Sequence, residues 1–243
     1  MHILEIKNLK KSFGGVHAIN GLTLSFARGK LTSVIGPNGS GKTTLVNVLS
    51  GVHMIDGGTI AISSKTLRTI NPEELPALGL TRTFQDVRLF EQMTVLDNIL
   101  VTLTARNPWK ALFETATPAH QTQSEAVLKK VGLWEKRNQL AYNLSYGQRK
   151  LLEIGRVLAM DTDIVLLDEP FAGLFKEMIR VIVGIIQELK AAGKTVLLIE
   201  HNMDLIRELS DHVVVMDAGT LLAEGKPEEV LARRDVIEAY LGE

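Results

Sequence analysis

The hydrophobic positions of this chain fall into two patterns, alternation near the N-terminus and short, almost wholly apolar segments further on. Residues 3–13 and 16–26 alternate apolar and polar side chains around Gly14-Gly15, which predicts an antiparallel pair of strands. Short, almost wholly apolar runs are typical of strands buried on both faces of a parallel sheet. Such runs occur at residues 31–35, 164–167, 195–199 and 213–216. The pattern therefore predicts an α/β core with a mainly parallel sheet and an N-terminal antiparallel β subdomain.

The middle of the chain shows helical periodicity instead of strand signals. Apolar residues recur every three or four positions at residues 95–103, 124–131 and 148–160. We therefore expect one domain in which a helical lobe, residues 85–160, is inserted between residues 1–84 and 161–243 of the α/β core. Within the lobe, residues 106–121 contain two prolines and predict an exposed excursion between helices.

Composition narrows the classes of partner. The net charge is −1, and no run of Lys or Arg gives the basic footprint expected of a nucleic-acid-binding protein, so we expect no nucleic acid partner. The chain has no cysteine, which excludes disulfides and thiolate metal sites. No secretory signal pattern opens the chain, and no apolar stretch approaches the roughly 20 residues that span a bilayer. We therefore expect a cytoplasmic protein.

A glycine-rich loop lies between the apolar run 31–35 and a predicted helix over residues 43–50. It reads Gly-Pro-Asn-Gly-Ser-Gly-Lys-Thr-Thr over residues 36–44. Its glycines let successive N–H groups converge on an anion, Lys42 adds a charge for the outer phosphates, and Thr43 offers a hydroxyl to Mg²⁺. The alternative is a glycine-rich turn that binds nothing. Since kinases, GTPases and transport ATPases share this loop, it predicts a nucleoside triphosphate and leaves the reaction open.

Two carboxylates, Asp168 and Glu169, follow the apolar run 164–167 and precede Pro170. Ligands of such sheets bind at the carboxyl ends of the strands. Asp168 would hold Mg²⁺ through water, and Glu169 would polarise a water for attack on the γ-phosphate. The alternative is a pair that only caps a turn before Pro170.

A second helix N-terminus follows the sequence Leu-Ser-Tyr-Gly-Gln at residues 144–148. Ser145 and the flanking N–H groups are suited to an anion, although Ser-x-Gly before a helix is more often an ordinary N-cap.

The order and approximate spacing of these segments resemble the ATP-binding cassette family across essentially the whole chain. The positions that match are residues 36–44, Gln85, residues 144–148, Asp168-Glu169 and His201. The resemblance implies an α/β P-loop nucleotide hydrolase fold and an ATPase that uses ATP and Mg²⁺.

The resemblance also implies roles for single residues. Phe13 would stack on adenine, and Ser145 and Gly147 would contact the γ-phosphate. The implied phosphate-binding set is Gly36, Asn38, Gly39, Ser40, Gly41, Lys42, Thr43 and Thr44. The implied metal set is Thr43, Gln85 and Asp168, and the implied catalytic set is Glu169, His201, Gln85 and Lys42. The alternatives for single residues are a core aromatic at Phe13, a surface amide at Gln85 and a polar residue ending a strand at His201.

Partners follow from the same resemblance. The family's signature segment acts on nucleotide bound to a second ATPase subunit, identical or paralogous, so the implied unit is a head-to-tail dimer with two ATP. Two integral membrane permeases would carry the solute, supplied by an extracytoplasmic solute-binding protein. The chain would then be peripheral on the inner face of the cell membrane.

Within the family, residues 82–90 and 93–98 resemble the ATPases of branched-chain amino acid importers, and the tail, residues 235–243, does so as well. The alternatives are the ATPase of a urea or amide importer, the ATPase of a lipopolysaccharide exporter, and a soluble cassette ATPase outside transport. Two positions depart from the family pattern. Tyr146 stands where the family most often has Gly, and Phe175 stands where it usually has Asp or Asn.

Overall fold

A computed structural model describes residues 1–84, 87–104 and 117–241. The chain divides into two compact units. The first contains residues 1–82, 163–169 and 186–243, and the second contains residues 83–162 and 170–185. The second unit thus includes residues 170–185 beyond the predicted lobe, whose boundaries at residues 85 and 160 stay a prediction.

The first unit contains two sheets. Its strands are β1 (His2–Phe13), β2 (Val16–Ala27), β3 (Leu31–Ile35), β4 (Gly57–Ile62), β5 (Lys65–Leu67), β6 (Leu80–Arg82), β7 (Ile164–Asp168), β8 (Thr195–Ile199), β9 (His212–Asp217) and β10 (Thr220–Gly225). Among the described residues, an antiparallel sheet has the order β2-β1-β4-β5, and a second sheet has the order β10-β9-β3-β8-β7-β6. The second sheet is parallel except for its edge pair β10 and β9.

The described helices follow the chain order. They are α1 (Lys42–Leu49), α2 (Val95–Leu103), α3 (Pro118–Lys130), α4 (Tyr146–Ala159), α5 (Lys176–Ala191), α6 (Met203–Leu209), α7 (Pro227–Val230) and α8 (Arg234–Leu241). Short 3₁₀ turns lie at Pro72–Glu74, Trp134–Lys136 and Ala141–Asn143. No helix in these ranges has the length and apolarity needed to cross a bilayer.

The buried strands lie where the apolar runs predict them. Every residue of β3, β7 and β8 is buried, and β3 lies between β8 and β9 at the centre of its sheet. The core between the two sheets contains Phe26 of β2, Val34 of β3 and Leu45 of α1. The glycine-rich loop follows β3 in the chain. Because β3 is parallel to β8 and β9, the loop lies at the edge of the sheet where the carboxyl ends of these strands meet.

The excursion predicted at residues 106–121 is wrong at its C-terminal end. Helix α3 begins at Pro118, and the Thr117 hydroxyl caps it by accepting the backbone N–H of His120 at 3.2 Å. Proline fits the first turn of a helix because the missing N–H has no partner there, so this proline starts a helix where the sequence analysis assigned a loop. Residues 106–116 of that prediction lie outside the described residues.

Helix α4 contains a buried carboxylate, Glu153, which is 4% exposed. Its Oε1 accepts the backbone N–H of Phe84 at 3.0 Å. Burial raises the pKa of Glu153, and the hydrogen bonds from the backbone of Phe84 and Arg88 oppose that shift. This group therefore makes folding depend on pH.

We expect Glu153→Gln to raise the thermal stability at neutral pH, because a carboxyl whose folded pKa is raised stabilises the protein only in its protonated form. That stabilisation is fully present when the pH is below 4.5, the ordinary pKa of a glutamate, and it is lost as the pH rises through the raised pKa of Glu153. The gain from Gln should therefore shrink as the pH falls toward that value. Melting curves of both proteins across the acid range measure it. A gain that is equal at every pH would contradict the assignment.

Candidate functional site

The glycine-rich loop between β3 and α1 has a backbone that only glycine fits. Gly41 has a φ of +99°, and a Cβ there would lie 2.4 Å from the carbonyl oxygen of Ala18. A Cβ on Gly36 would lie 2.0 Å from the carbonyl oxygen of Met216. Both contacts are far shorter than real Cβ atoms show, so the loop depends on these two glycines.

We expect Gly41→Ala to weaken ATP binding by about tenfold or more, because the new Cβ must displace the loop or the backbone at Ala18. Isothermal titration with ATP measures this change. The matched control is Gly193→Ala, since Gly193 also has a positive φ, +76°, but has open space around a Cβ. Equal ATP affinities of the two variants would contradict this account of the loop.

Lys42 is buried, and its ammonium lies against the loop itself. The Nζ donates to the carbonyl oxygens of Gly36 at 2.7 Å and Pro37 at 2.8 Å, and to Ser40 Oγ at 3.3 Å. The charge is therefore held by loop oxygens at the place where the sequence analysis predicts phosphate. Of the other predicted phosphate-binding residues, Asn38, Gly39 and Thr43 are exposed, Thr44 is half-buried and Ser40 is buried.

Asp168 ends β7 and is 2% exposed. Its Oδ2 accepts the guanidinium of Arg82 at 3.3 Å, and both side chains are buried. Arg82 also donates to Asn47 Oδ1 at 3.0 Å and to the hydroxyl of Ser50. Since Asn47 lies in α1, Arg82 connects the helix that follows the loop with the carboxylate at the end of β7.

Arg82 was not predicted as a site residue. It lies in β6, a three-residue strand, and it enters the sequence prediction only within residues 82–90, which resemble one branch of the family. In the sequence, Arg82 is one charged residue that follows Leu80 and Thr81. This short pattern is too weak to predict an arginine buried against a carboxylate.

Glu169 follows Asp168 and has a positive φ of +46°. Its backbone N–H donates to the carbonyl oxygen of Ile199 at 3.0 Å, which fixes the residue beside the end of β8. Its Oε1 lies 3.2 Å from Nε2 of His201. The left-handed backbone is uncommon for a residue with a side chain, and such conformations cluster at functional sites. The fold thus brings together two predicted catalytic residues that are 32 positions apart.

Ser145 is the N-cap of α4. Its hydroxyl accepts the backbone N–H of Gln148 at 3.4 Å, and Gln148 Oε1 accepts the backbone N–H of Ser145 at 3.2 Å. This capping box gives Ser145 the ordinary N-cap role that the sequence analysis weighed. Gly147 is the second residue of α4, and a Cβ there would approach Met178 Sδ to 2.2 Å, so this position has no room for a side chain without a shift of Met178.

The remaining predicted residues have different surroundings. Phe13 is 42% exposed, with its ring edge-on to His53 at 5.0 Å and with Lys11 Nζ 5.1 Å from its centroid, so it is not a core aromatic. Gln85 lies outside the described residues. Tyr146 is exposed, and Phe175 is 77% exposed.

The sequence profile of the family described as ABC transporter matches residues 19–172, more than half of the chain and most of the segments described above. The chain belongs to the ABC transporter family. A second profile, described as branched-chain amino acid ATP-binding cassette transporter, matches residues 220–243.

Relatives of this ABC protein cover nearly its full length. LivG of Salmonella typhimurium, named a high-affinity branched-chain amino acid transport ATP-binding protein, is 41% identical over an alignment of 251 positions that covers 99% of this chain and 98% of LivG. BraF of Pseudomonas aeruginosa, with the same description, is 40% identical over an alignment of 252 positions that covers 99% of this chain and 98% of BraF.

A solved structure agrees with the fold of this ABC protein. The ADP conformation of an ATP-binding cassette of an ABC transporter has a TM-score of 0.85 and 37% identity, and the match covers 100% of both chains. The predicted α/β P-loop nucleotide hydrolase fold and the predicted family are therefore confirmed. The protein is a transporter ATPase that binds and hydrolyses ATP.

Proposed function

We propose that this chain is the ATP-hydrolysing subunit that powers import of branched-chain amino acids through separate membrane permeases. The observation that carries the proposal is the agreement of the full-length relatives, named for branched-chain amino acid transport, with the separate match of residues 220–243 to that branch. The urea, lipopolysaccharide and non-transport alternatives have no comparable support.

In this proposal the loop residues 36–44 bind the phosphates of ATP. Their N–H groups and the Lys42 ammonium supply the positive charge that outer phosphates need. The ammonium exchanges its present acceptors, the carbonyl oxygens of Gly36 and Pro37, for phosphate oxygens. Phe13 presents its exposed ring to adenine.

Magnesium fits the donors of this chain. The Thr43 hydroxyl, the Asp168 carboxylate and Gln85 are oxygen donors, which Mg²⁺ prefers. Within the described residues no group of three or more His, Cys, Asp or Glu could hold a metal by itself. Asp168 is the carboxylate among the three proposed donors, and Mg²⁺ is usually bound through one or two carboxylates together with substrate phosphates. Bound there, Mg²⁺ would neutralise charge on the phosphates, while Arg82 keeps Asp168 in place.

Glu169 acts as the base that polarises the attacking water, and His201 contacts the γ-phosphate. The 3.2 Å approach of Glu169 Oε1 and His201 Nε2 lets each group orient the other. In this arrangement the Glu169 carboxylate can take a proton from water, and the His201 imidazole can donate a hydrogen bond to the phosphate.

The second subunit, identical or paralogous, supplies Ser145 and Gly147 to the nucleotide in a head-to-tail dimer. Ser145 lies at the N-terminus of a 14-residue helix, which favours an anion. Light scattering of Glu169→Gln should show a dimer with ATP and Mg²⁺ and a monomer without them. Adding Ser145→Arg should abolish the dimer and leave ATP binding unchanged. If Glu169→Gln stays monomeric under every condition, both alone and mixed with a paralogous ATPase of the same cell, the proposed head-to-tail dimer is contradicted.

Two permeases and an extracytoplasmic solute-binding protein complete the proposed importer, and they hold this chain on the inner face of the cell membrane. Competition tests the solute class. Uptake of labelled leucine by cells should be inhibited by excess unlabelled isoleucine or valine and unaffected by urea or acetamide. Inhibition by urea or acetamide instead would assign the chain to the amide branch.

A further inference from the structure

A buried carboxylate that the proposed mechanism does not use lies next to His201. Glu200 follows the last residue of β8 and is 7% exposed. Its Oε1 accepts two consecutive backbone N–H groups, from His201 at 3.0 Å and from Asn202 at 3.1 Å. The side chain therefore bends back over the chain and holds the backbone at the point where β8 ends.

The next side chain fixes the other end of this turn. Asn202 Oδ1 accepts the backbone N–H groups of Asp204 at 3.0 Å and Leu205 at 3.2 Å, so Asn202 is the N-cap of α6. The backbone of His201 thus lies between two capping side chains, one anchored to β8 and one to α6. Its φ and ψ angles have little freedom while both sets of bonds are intact.

The position of the His201 ring depends on that backbone. The ring reaches Glu169 at 3.2 Å, and Glu169 is itself fixed by its N–H bond to Ile199 in β8. Glu169, which follows β7, is thus bonded to β8, and His201 follows β8 in the chain, so the turn at Glu200 sets the direction in which the imidazole leaves β8.

This arrangement is costly for stability. Burial raises the pKa of Glu200, the hydrogen bonds from Asn202 and His201 oppose the shift, and the neighbouring charge of Glu169 adds to it. Within the described part of the chain Oε2 has no hydrogen-bond partner. A buried oxygen without a partner destabilises a fold, so stability alone does not account for a carboxylate at this position.

We infer that Glu200 is a positioning residue for ATP hydrolysis, which holds the backbone of His201 so that its imidazole faces Glu169 and the γ-phosphate. The inference rests on the proposed role of His201. Glu200 acts through His201 and makes no contact with the nucleotide in this account.

Two variants of Glu200 separate this role from a general structural one. Glu200→Gln keeps an oxygen that can accept both N–H bonds, and we expect its kcat to stay within about threefold of the parent protein. Glu200→Ala removes the acceptor, and we expect kcat to fall about tenfold or more while the Kd for ATP changes by less than about twofold. A fall of ATP affinity in parallel with kcat, or equal losses in both variants, would overturn the inference.

A double variant tests whether Glu200 acts through His201. Residues that act as a unit are not additive, so Glu200→Ala should cause no further loss of kcat in a His201→Ala background. An additive loss would overturn the inference. If His201→Ala alone keeps its kcat, the proposed role of His201 fails. If His201→Ala loses activity and folded Glu200→Ala does not, only the inference about Glu200 fails.

A spectroscopic measurement covers the case in which the Ala variant does not fold. The backbone amide protons of His201 and Asn202 bond to a carboxylate, so their NMR resonances should lie downfield in the parent protein and stay near there in Glu200→Gln. Upfield amide resonances in the folded parent protein would contradict the bonds on which the inference depends.

Discussion

Glu169→Gln is expected to lower kcat for ATP hydrolysis about 10²-fold to 10⁴-fold, the range typical of a lost general base. Gln has the shape of Glu but cannot take a proton from the attacking water. The left-handed backbone at Glu169 and its N–H bond to Ile199 do not involve the carboxylate, so the variant should keep the local fold. Release of phosphate at saturating ATP measures the effect.

ATP binding by Glu169→Gln should stay within about threefold of the parent protein, because the phosphate contacts of the loop are unchanged. Glu228→Gln is the matched control, since Glu228 is an exposed glutamate of α7. It should hydrolyse ATP at the rate of the parent protein. Near-normal turnover by Glu169→Gln would remove Glu169 from its role.

Lys42→Ala is expected to raise the Kd for ATP about 10-fold to 100-fold, because a charge-assisted hydrogen bond contributes about 1.5 to 3 kcal/mol. The loop also loses three internal acceptor contacts of the ammonium, to Gly36, Pro37 and Ser40. Titration calorimetry with ATP measures binding apart from turnover.

Lys7→Ala is the control for a lost lysine charge, because Lys7 is exposed and forms a surface ion pair with Glu5 at 3.1 Å. An exposed ion pair contributes little to stability, so this variant should bind ATP like the parent protein. Unchanged ATP affinity in Lys42→Ala would contradict the assignment of the loop as the phosphate site.

Much of the fold follows from local patterns in the sequence. The five-residue segments that form β3, β7 and β8 are mostly apolar, and such segments have few alternatives to a buried parallel strand. The loop before α1 is equally local, because its glycines are needed for positive φ and close backbone approach at Gly36 and Gly41.

The parts that sequence reasoning missed depend on contacts between distant residues. Strand β6 has three residues and is recognisable only by its pairing with β7. The strand β4 begins with two glycines, which weaken any strand pattern, and it is fixed by its pairing with β1. Arg82 contacts Asp168 across 86 positions, a relation that no window of the sequence contains.

The site residues divide in the same way. Glu169 and His201 are predicted separately from the resemblance, but their 3.2 Å approach follows only from the parallel pairing of β7 with β8. Glu200 is inconspicuous in the sequence because a glutamate at the end of a strand is usually exposed. Its burial and its two backbone bonds appear only once the turn into α6 is built.

The most direct test of the account is the uptake of labelled leucine by cells in which this chain is replaced by its Glu169→Gln variant, with Glu228→Gln as the matched replacement. If ATP hydrolysis by this chain powers import of branched-chain amino acids, Glu169→Gln cells should lose the high-affinity component of leucine uptake. Glu228→Gln cells should keep it. Leucine uptake that is equal in the two strains, with both proteins present at equal levels, would contradict the central claim.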